Sequence, residues 1–219
     1  MTAAPRLYVD SADLDQVREL LTDSLVHGVT TNPTILERGG RRVAEIPDLY
    51  ARWVEQGAQE VFFQTWGEDP ATLLRNAEKI VGLGDKVAVK VPATRAGFTA
   101  SRELVSSGAT VLVTAVYSVA QALAASAYGA HYIAPYLGRL RDSGRDGTAL
   151  IAEMQAVCAG SQTEVLAASL RSPADLVELR HHGVSYFTAA PEVIKAMLAD
   201  DISDSSAADF EAAIARISD

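Results

Sequence analysis

The sequence predicts an α/β protein, a single TIM-type (β/α)8 barrel followed by a C-terminal helix. Three observations carry that expectation. Eight short runs rich in β-branched and aromatic residues, at 7–10, 28–32, 61–65, 87–91, 110–115, 131–136, 165–169 and 185–189, alternate with longer segments of helical period. This is the pattern of βα units and a parallel sheet. The chain has 219 residues, the length of one such barrel, and no low-complexity linker divides it, so residues 1–219 read as one domain. A doubly wound open sheet is the competing architecture, but it usually announces a nucleotide site, and neither G-x-G-x-x-G nor a Walker loop is present.

The segments between the runs carry helix punctuation. In "EDPATLLRNAEKIVGLG", Asp69 can cap and Pro70 suits the first helical position. Leu73, Leu74, Ala77, Ile80 and Val81 then form one apolar face, which Gly82 and Gly84 end. Ser172, Pro173, Leu176, Leu179 and Gly183 repeat that grammar, and Ser118 and Gly129 bracket "SVAQALAASAYG". His181 and His182 adjoin Gly183, where a cationic or hydrogen-bonding side chain suits the last carbonyls of a helix. The final stretch, "SDSSAADFEAAIARI", predicts a capped terminal helix with Phe210, Ile214 and Ile217 on one side.

Composition narrows the function classes. The net charge of −9 argues against a partner that presents a phosphate backbone, so no nucleic-acid role is expected, although a local basic pocket can still hold a small phosphate. No run approaches the ~18 apolar residues of a membrane span, and "MTAAPRLYVD" lacks the apolar segment of a secretory signal. A cytoplasmic protein with no membrane partner is the expectation. Cys158 stands alone and reads as a packed thiol, and without HxxxH or CxxC spacing neither a metal nor another cofactor is expected.

Each apolar run ends near a residue with a functional group: Asp10, Asn32, Gln64, Lys90, Thr114, Tyr136, Ser169 and Thr188. Side chains two apart share a face of a strand, so Tyr8 with Asp10, Thr30 with Asn32, Ala88 with Lys90 and Ala134 with Tyr136 should point the same way. In a barrel that face can be the lumen, and barrel active sites assemble at the C-terminal mouth. Taken singly, Thr114, Ser169 and Thr188 could be ordinary strand-end hydroxyls, and Asp10 could simply cap the first helix. Lys90 resists such a reading. It lies among Val87, Val89 and Val91 in "KVAVKVPAT", and an ammonium group withdrawn from water needs a partner or a task. A desolvated lysine yields its proton more readily, and the free amine is a nucleophile able to form a Schiff base with a ketone. The iminium then acts as an electron sink for cleavage or formation of the adjacent carbon–carbon bond.

The segments "LYVDSA", "GVTTNPTI", "VAVKVPAT", "TAVYSVAQA", "YIAPYLGRL" and "LAASLRS", in that order, resemble the transaldolase and fructose-6-phosphate aldolase family, from about residue 7 to residue 190. The resemblance implies a class I aldolase-type barrel with the Schiff-base lysine at Lys90. Asp10 would exchange a proton with the hydroxyl next to the cleaved bond. Asn32 would hold the donor's hydroxyls with Thr30 on the same strand, and Thr114 would help hold a catalytic water. Arg139, Ser169 and Arg171 would bind the phosphate.

Two positions separate the branches. Transaldolases carry a glutamate on the third strand and a phenylalanine on the sixth, whereas this chain has Gln64 and Tyr136, which resemble fructose-6-phosphate aldolase. In that branch the tyrosine hydroxyl is the acid/base acting with a glutamine-held water. The expected partners are therefore a sugar phosphate and a dihydroxyacetone-type donor, with glyceraldehyde 3-phosphate as aldehyde. Transaldolase is the alternative, and a non-catalytic sugar-phosphate-binding barrel the second. Short members of the family form large rings, so a homo-oligomer, a pentamer or decamer, is expected. Trp66 has no assigned role.

Overall fold

The computed structural model describes residues 4–218. Its strands are β1 (Arg6–Asp10), β2 (Gly28–Thr30), β3 (Glu60–Gln64), β4 (Val87–Pro92), β5 (Val111–Val116), β6 (Tyr132–Pro135), β7 (Glu164–Leu170) and β8 (Tyr186–Ala189). All neighbours are parallel, and β8 pairs with β1, so the sheet closes into a barrel in chain order. The eight predicted runs are the eight strands, and the (β/α)8 expectation holds. Three runs end earlier than predicted: β2 stops at Thr30, β3 at Gln64 and β6 at Pro135; Asn32 and Tyr136 stand at the caps of the helices that follow, Tyr136 keeping one parallel bridge to Ala168.

The helices are α1 (Leu14–Thr22), α2 (Pro33–Arg38), α3 (Ile46–Glu55), α4 (Pro70–Val81), α5 (Arg95–Ser106), α6 (Val119–Ala127), α7 (Leu137–Asp142), α8 (Gly147–Cys158), α9 (Pro173–His181), α10 (Pro191–Ala196) and α11 (Asp201–Ile217). Side-chain oxygens start α4, α6 and α9 as the sequence predicts. Asp69 accepts from the Thr72 N–H, Ser118 from Gln121 and Ser172 from Asp175, each satisfying an orphan donor of the first turn. Asp13, not Asp10, caps α1, accepting from the N–H groups of Asp15 and Gln16. Asp10 is thereby left free for the site. Along α4, Leu73, Ala77 and Ile80 are buried, but Val81 is exposed at the helix end. Cys158 is buried, as its neighbourhood suggested.

Strand alternation sorts the core into two layers. Val87, Val89 and Val91 join Val61, Phe63, Val111 and Val113 in the layer against the helices, while Tyr8, Phe62, Ala88, Leu112, Tyr132, Leu166 and Tyr186 fill the lumen. At the N-terminal end of the barrel the Tyr8 hydroxyl donates to the Glu60 carboxylate at 2.8 Å and Tyr132 donates to the same oxygen at 3.3 Å. Burial raises the Glu60 pKa above the usual carboxylate value, against the pull of the two hydroxyls. Aromatic packing closes this end, with Phe62 edge-on to both Tyr8 and Tyr132, so the open end is the C-terminal mouth.

The β2–β3 contact leaves no room at Gly28, where a Cβ would overlap the backbone carbonyl of Glu60. Gly28→Ala should therefore force the two strands apart and lower stability by about 3 kcal/mol. Chemical denaturation checks this, the expected sign being a large drop in midpoint. At the other extreme of packing lies α11, a 17-residue helix capped by Asp200, which accepts from the Ser203 N–H. None of its residues is buried, and Ile202, Phe210, Ile214 and Ile217 are exposed.

Candidate active site

Strand ends deliver the polar set to one mouth. Asp10 pairs in register with Thr30, and Lys90 with both Gln64 and Leu112. A cavity of about 480 Å³ opens there, lined among others by Asp10, Asn32, Gln64, Thr114, Tyr136, Arg139 and Ser169. Lys90 is 3% exposed. Among the described residues, none forms a salt bridge or a side-chain hydrogen bond with its amine. Its charged neighbour across the lumen is Asp10, whose carboxyl burial pushes above its ordinary value, while the Lys90 charge and the Thr30 hydroxyl act to lower it.

Two sets of hydrogen-bonded hydroxyls stand at the same end of the barrel. In the first, the Thr30 hydroxyl donates to Asp10 Oδ1 at 2.6 Å and lies 2.6 Å from the Thr188 hydroxyl. Since Thr30 has one proton to give, Thr188 donates to Thr30. In the second, the Thr114 and Tyr136 hydroxyls share a bond of 2.9 Å. The Tyr136 ring meets Tyr117 edge-on with centroids 6.0 Å apart. Asn32 caps α2, its Oδ1 accepting from the Ile35 N–H at 3.0 Å, so its amide protons remain for the cavity it borders.

Local backbone geometry at two of these strand ends is unusual. Ala115 (φ 58) and Ser169 (φ 57) sit in the left-handed region, which is unfavourable for residues with a Cβ. Each falls within a register shift, between Thr114 and Val116 on β5 and between Ala167 and Leu170 on β7. A bulge re-aims side chains, and strained backbone is concentrated at functional sites. Here the bulges turn Ala115 and Ser169 into the cavity.

The predicted anion set divides. Arg139 and Ser169 line the cavity, but Arg171 does not, because its guanidinium is clamped on Asp142 with Nη1 and Nη2 at 2.9 and 2.5 Å from the two carboxylate oxygens. Gly138 packs where Ser169 and Arg171 approach: a Cβ there would lie 2.8 Å from Ser169 O, Ser169 Oγ and Arg171 Nε. Sequence reasoning overlooked Tyr117 and Arg38, which also line the cavity. The aromatic residue in "TAVYS" was the available signal for Tyr117, whereas Arg38, at the end of a short helix, had none. Trp66 faces a separate hollow of about 150 Å³ beside Leu36, Val43 and Ile46. Among the described residues no group of three or more His, Cys, Asp or Glu side chains is placed to hold a metal ion.

Fold and site together define a (β/α)8 barrel with a polar pocket at its C-terminal mouth and a buried lysine in register with Gln64 of the pocket's lining. The chain belongs to the Transaldolase/Fructose-6-phosphate aldolase family, whose sequence model matches residues 7–218. It is 36% identical over 210 residues to a protein of Rhodospirillum centenum named "Probable transaldolase", covering 94% of this chain and 90% of that one. A protein of the same name from Jannaschia sp. is 37% identical over 194 residues, covering 88% of each. Among solved structures, thiamine phosphate pyrophosphorylase from Pyrococcus furiosus superimposes with a TM-score of 0.62 at 17% identity, covering 87% of this chain and 91% of that one. That likeness speaks to the barrel fold alone.

Proposed function

We propose that the protein is a fructose-6-phosphate aldolase-like class I aldolase, which cleaves and forms a carbon–carbon bond through a Schiff base on Lys90. The observation that carries this reading is the Lys90 amine itself, 3% exposed, in register with Gln64 and electrostatically coupled to the half-buried Asp10, both of which line the cavity at the mouth. A buried lysine without a fixed partner costs stability, and its nucleophilicity is the compensating use. In the cleavage direction the amine adds to the ketone carbon and water leaves, forming an iminium. Asp10 takes the proton of the hydroxyl next to the scissile bond. The bond breaks, its electron pair moves into the iminium to give an enamine, and glyceraldehyde 3-phosphate departs. Tyr136, with a water held by Gln64, protonates the enamine carbon, and hydrolysis releases dihydroxyacetone and regenerates Lys90.

The supporting geometry is the hydroxyl pair of Thr114 and Tyr136 beside the cavity, with Gln64 in register with Lys90. Raised above its usual value by burial, the Asp10 carboxyl is suited to holding a proton and returning it. Thr30 and Asn32 would orient the donor's hydroxyls, and Arg139, Ser169 and Arg171 would receive the phosphate. The exposed apolar residues of α11 support assembly with further copies of the chain. No described helix is long and apolar enough to cross a membrane.

Transfer of a dihydroxyacetone unit between sugar phosphates is the second reading, favoured by the printed names of the relatives. The two are separated by incubating the protein with fructose 6-phosphate, with and without erythrose 4-phosphate. Free dihydroxyacetone should appear without the acceptor and in the presence of chelator. Product formed only when erythrose 4-phosphate is present would overturn the aldolase reading in favour of transfer, and binding without either product would leave a sugar-phosphate-binding barrel.

A further inference from the structure

Asp142 stands where an incoming anion would stand. It ends α7, one turn after Arg139 on the same helix, and its carboxylate accepts from both terminal nitrogens of Arg171 at the end of β7. Both guanidinium groups act on it: the Arg171 hydrogen bond is the largest influence holding its carboxyl below the ordinary value, and the Arg139 charge adds to it. One of the two cations assigned to a phosphate, Arg171, is thus already held by an internal carboxylate, while the other, Arg139, borders the cavity and adds its charge to the same neighbourhood.

The backbone beneath Arg171 is fixed. Its N–H donates to Asp175 Oδ2 at 2.7 Å, and buried Asp175 is paired at 2.7 Å with Arg141. Partner exchange at Arg171 is therefore a matter of side-chain rotation alone. The Arg171–Asp142 pair is open to water, with each side chain 58% exposed, and exposed pairs are held weakly enough to exchange. A phosphate monoester dianion carries more charge and an additional oxygen, so it can take both guanidinium groups and the Ser169 hydroxyl at once, which Asp142 cannot.

We propose that Asp142 is an internal competitor for the phosphate group: in the free protein it occupies Arg171, and a phosphorylated substrate binds by displacing it. Asp142 acts through Arg171 and is in that sense a specificity-setting residue. It lowers the advantage that a phosphorylated aldehyde has over an unphosphorylated one. This inference rests on the reading of Arg139, Ser169 and Arg171 as the phosphate site.

Inorganic phosphate is the probe, titrated calorimetrically into the intact protein. Asp142→Asn and Asp142→Ser are two neutral replacements at an exposed helix end, and their thermal melts verify folding. Both should tighten phosphate binding by about two- to five-fold, while Asp142→Glu should restore the original affinity. In the addition direction KM for glyceraldehyde 3-phosphate should fall by the same factor with KM for glyceraldehyde unmoved. Unchanged or weakened phosphate binding in both neutral variants would overturn the proposal, showing that Asp142 only aligns Arg171. Arg171→Ala separates the two levels: if phosphate binding survives that change undiminished, the phosphate-site reading has failed and the competitor role falls with it.

Discussion

Replacing Lys90 with methionine should abolish carbon–carbon bond cleavage, with a loss of at least about a thousandfold in turnover, and should remove the borohydride-trapped adduct that dihydroxyacetone is expected to form with the wild-type chain. Methionine keeps the length and most of the volume of the side chain in a lumen where Ala88 and Leu112 are its neighbours. The barrel should therefore fold, and removal of an amine that is 3% exposed and has no hydrogen-bonding partner among the described residues should not lower its stability. The variant has a second readout. Lys90 is the charge that acts to lower the Asp10 pKa against the effect of burial, so its loss should move that pKa further upward, leaving Asp10 protonated to higher pH. Intact-protein mass analysis after borohydride treatment locates the adduct. Turnover above about a hundredth of wild type, or trapping at another lysine, would remove Lys90 from the nucleophile role.

The barrel was legible because its strands have two faces that the sequence keeps distinct. In "VAVKVP" the valines at 87, 89 and 91 face the helices and Ala88 and Lys90 the lumen, so alternation alone gave the direction of the one charged residue. The helix starts were equally readable, since Asp69, Ser118 and Ser172 each satisfy a backbone donor of the first turn. What stayed hidden depends on departures from regular geometry. Ala115 and Ser169 take left-handed conformations that glycine would have announced, and the bulges they occupy re-aim the ends of β5 and β7. Arg171 shows a different limit. Its place after β7 follows from the sequence, but its hydrogen bond to Asp142 joins residues 29 positions apart, and pairing between exposed charges at such separation leaves no local pattern. The same holds for α11, whose apolar positions at 210, 214 and 217 predict a helix face correctly without indicating that the face meets none of the barrel's core.

Tyr136→Phe tests the division between cleavage and transfer. The hydroxyl removed shares a 2.9 Å hydrogen bond with Thr114, while the ring it leaves behind keeps its edge-on contact with Tyr117. Thr114 can turn its own proton to water in the cavity, so the fold should tolerate the change at a cost of about 1 kcal/mol. Release of free dihydroxyacetone requires a proton on the enamine carbon. If Tyr136 delivers it, loss of the hydroxyl should slow release by about a hundredfold or more, the usual contribution of a positioned acid/base group. Capture of the enamine by erythrose 4-phosphate needs no such proton, because the aldehyde carbon takes the enamine's electron pair directly. The variant should therefore accumulate the Lys90 adduct and lose aldol cleavage by a larger factor than transfer, shifting the product ratio toward transfer. Steady-state rates of both reactions on one preparation, with borohydride trapping at fixed times, check this. Equal losses in the two rates would assign Tyr136 to a step both share, such as imine formation, and unchanged cleavage would leave Gln64 and its neighbours to move the proton without it.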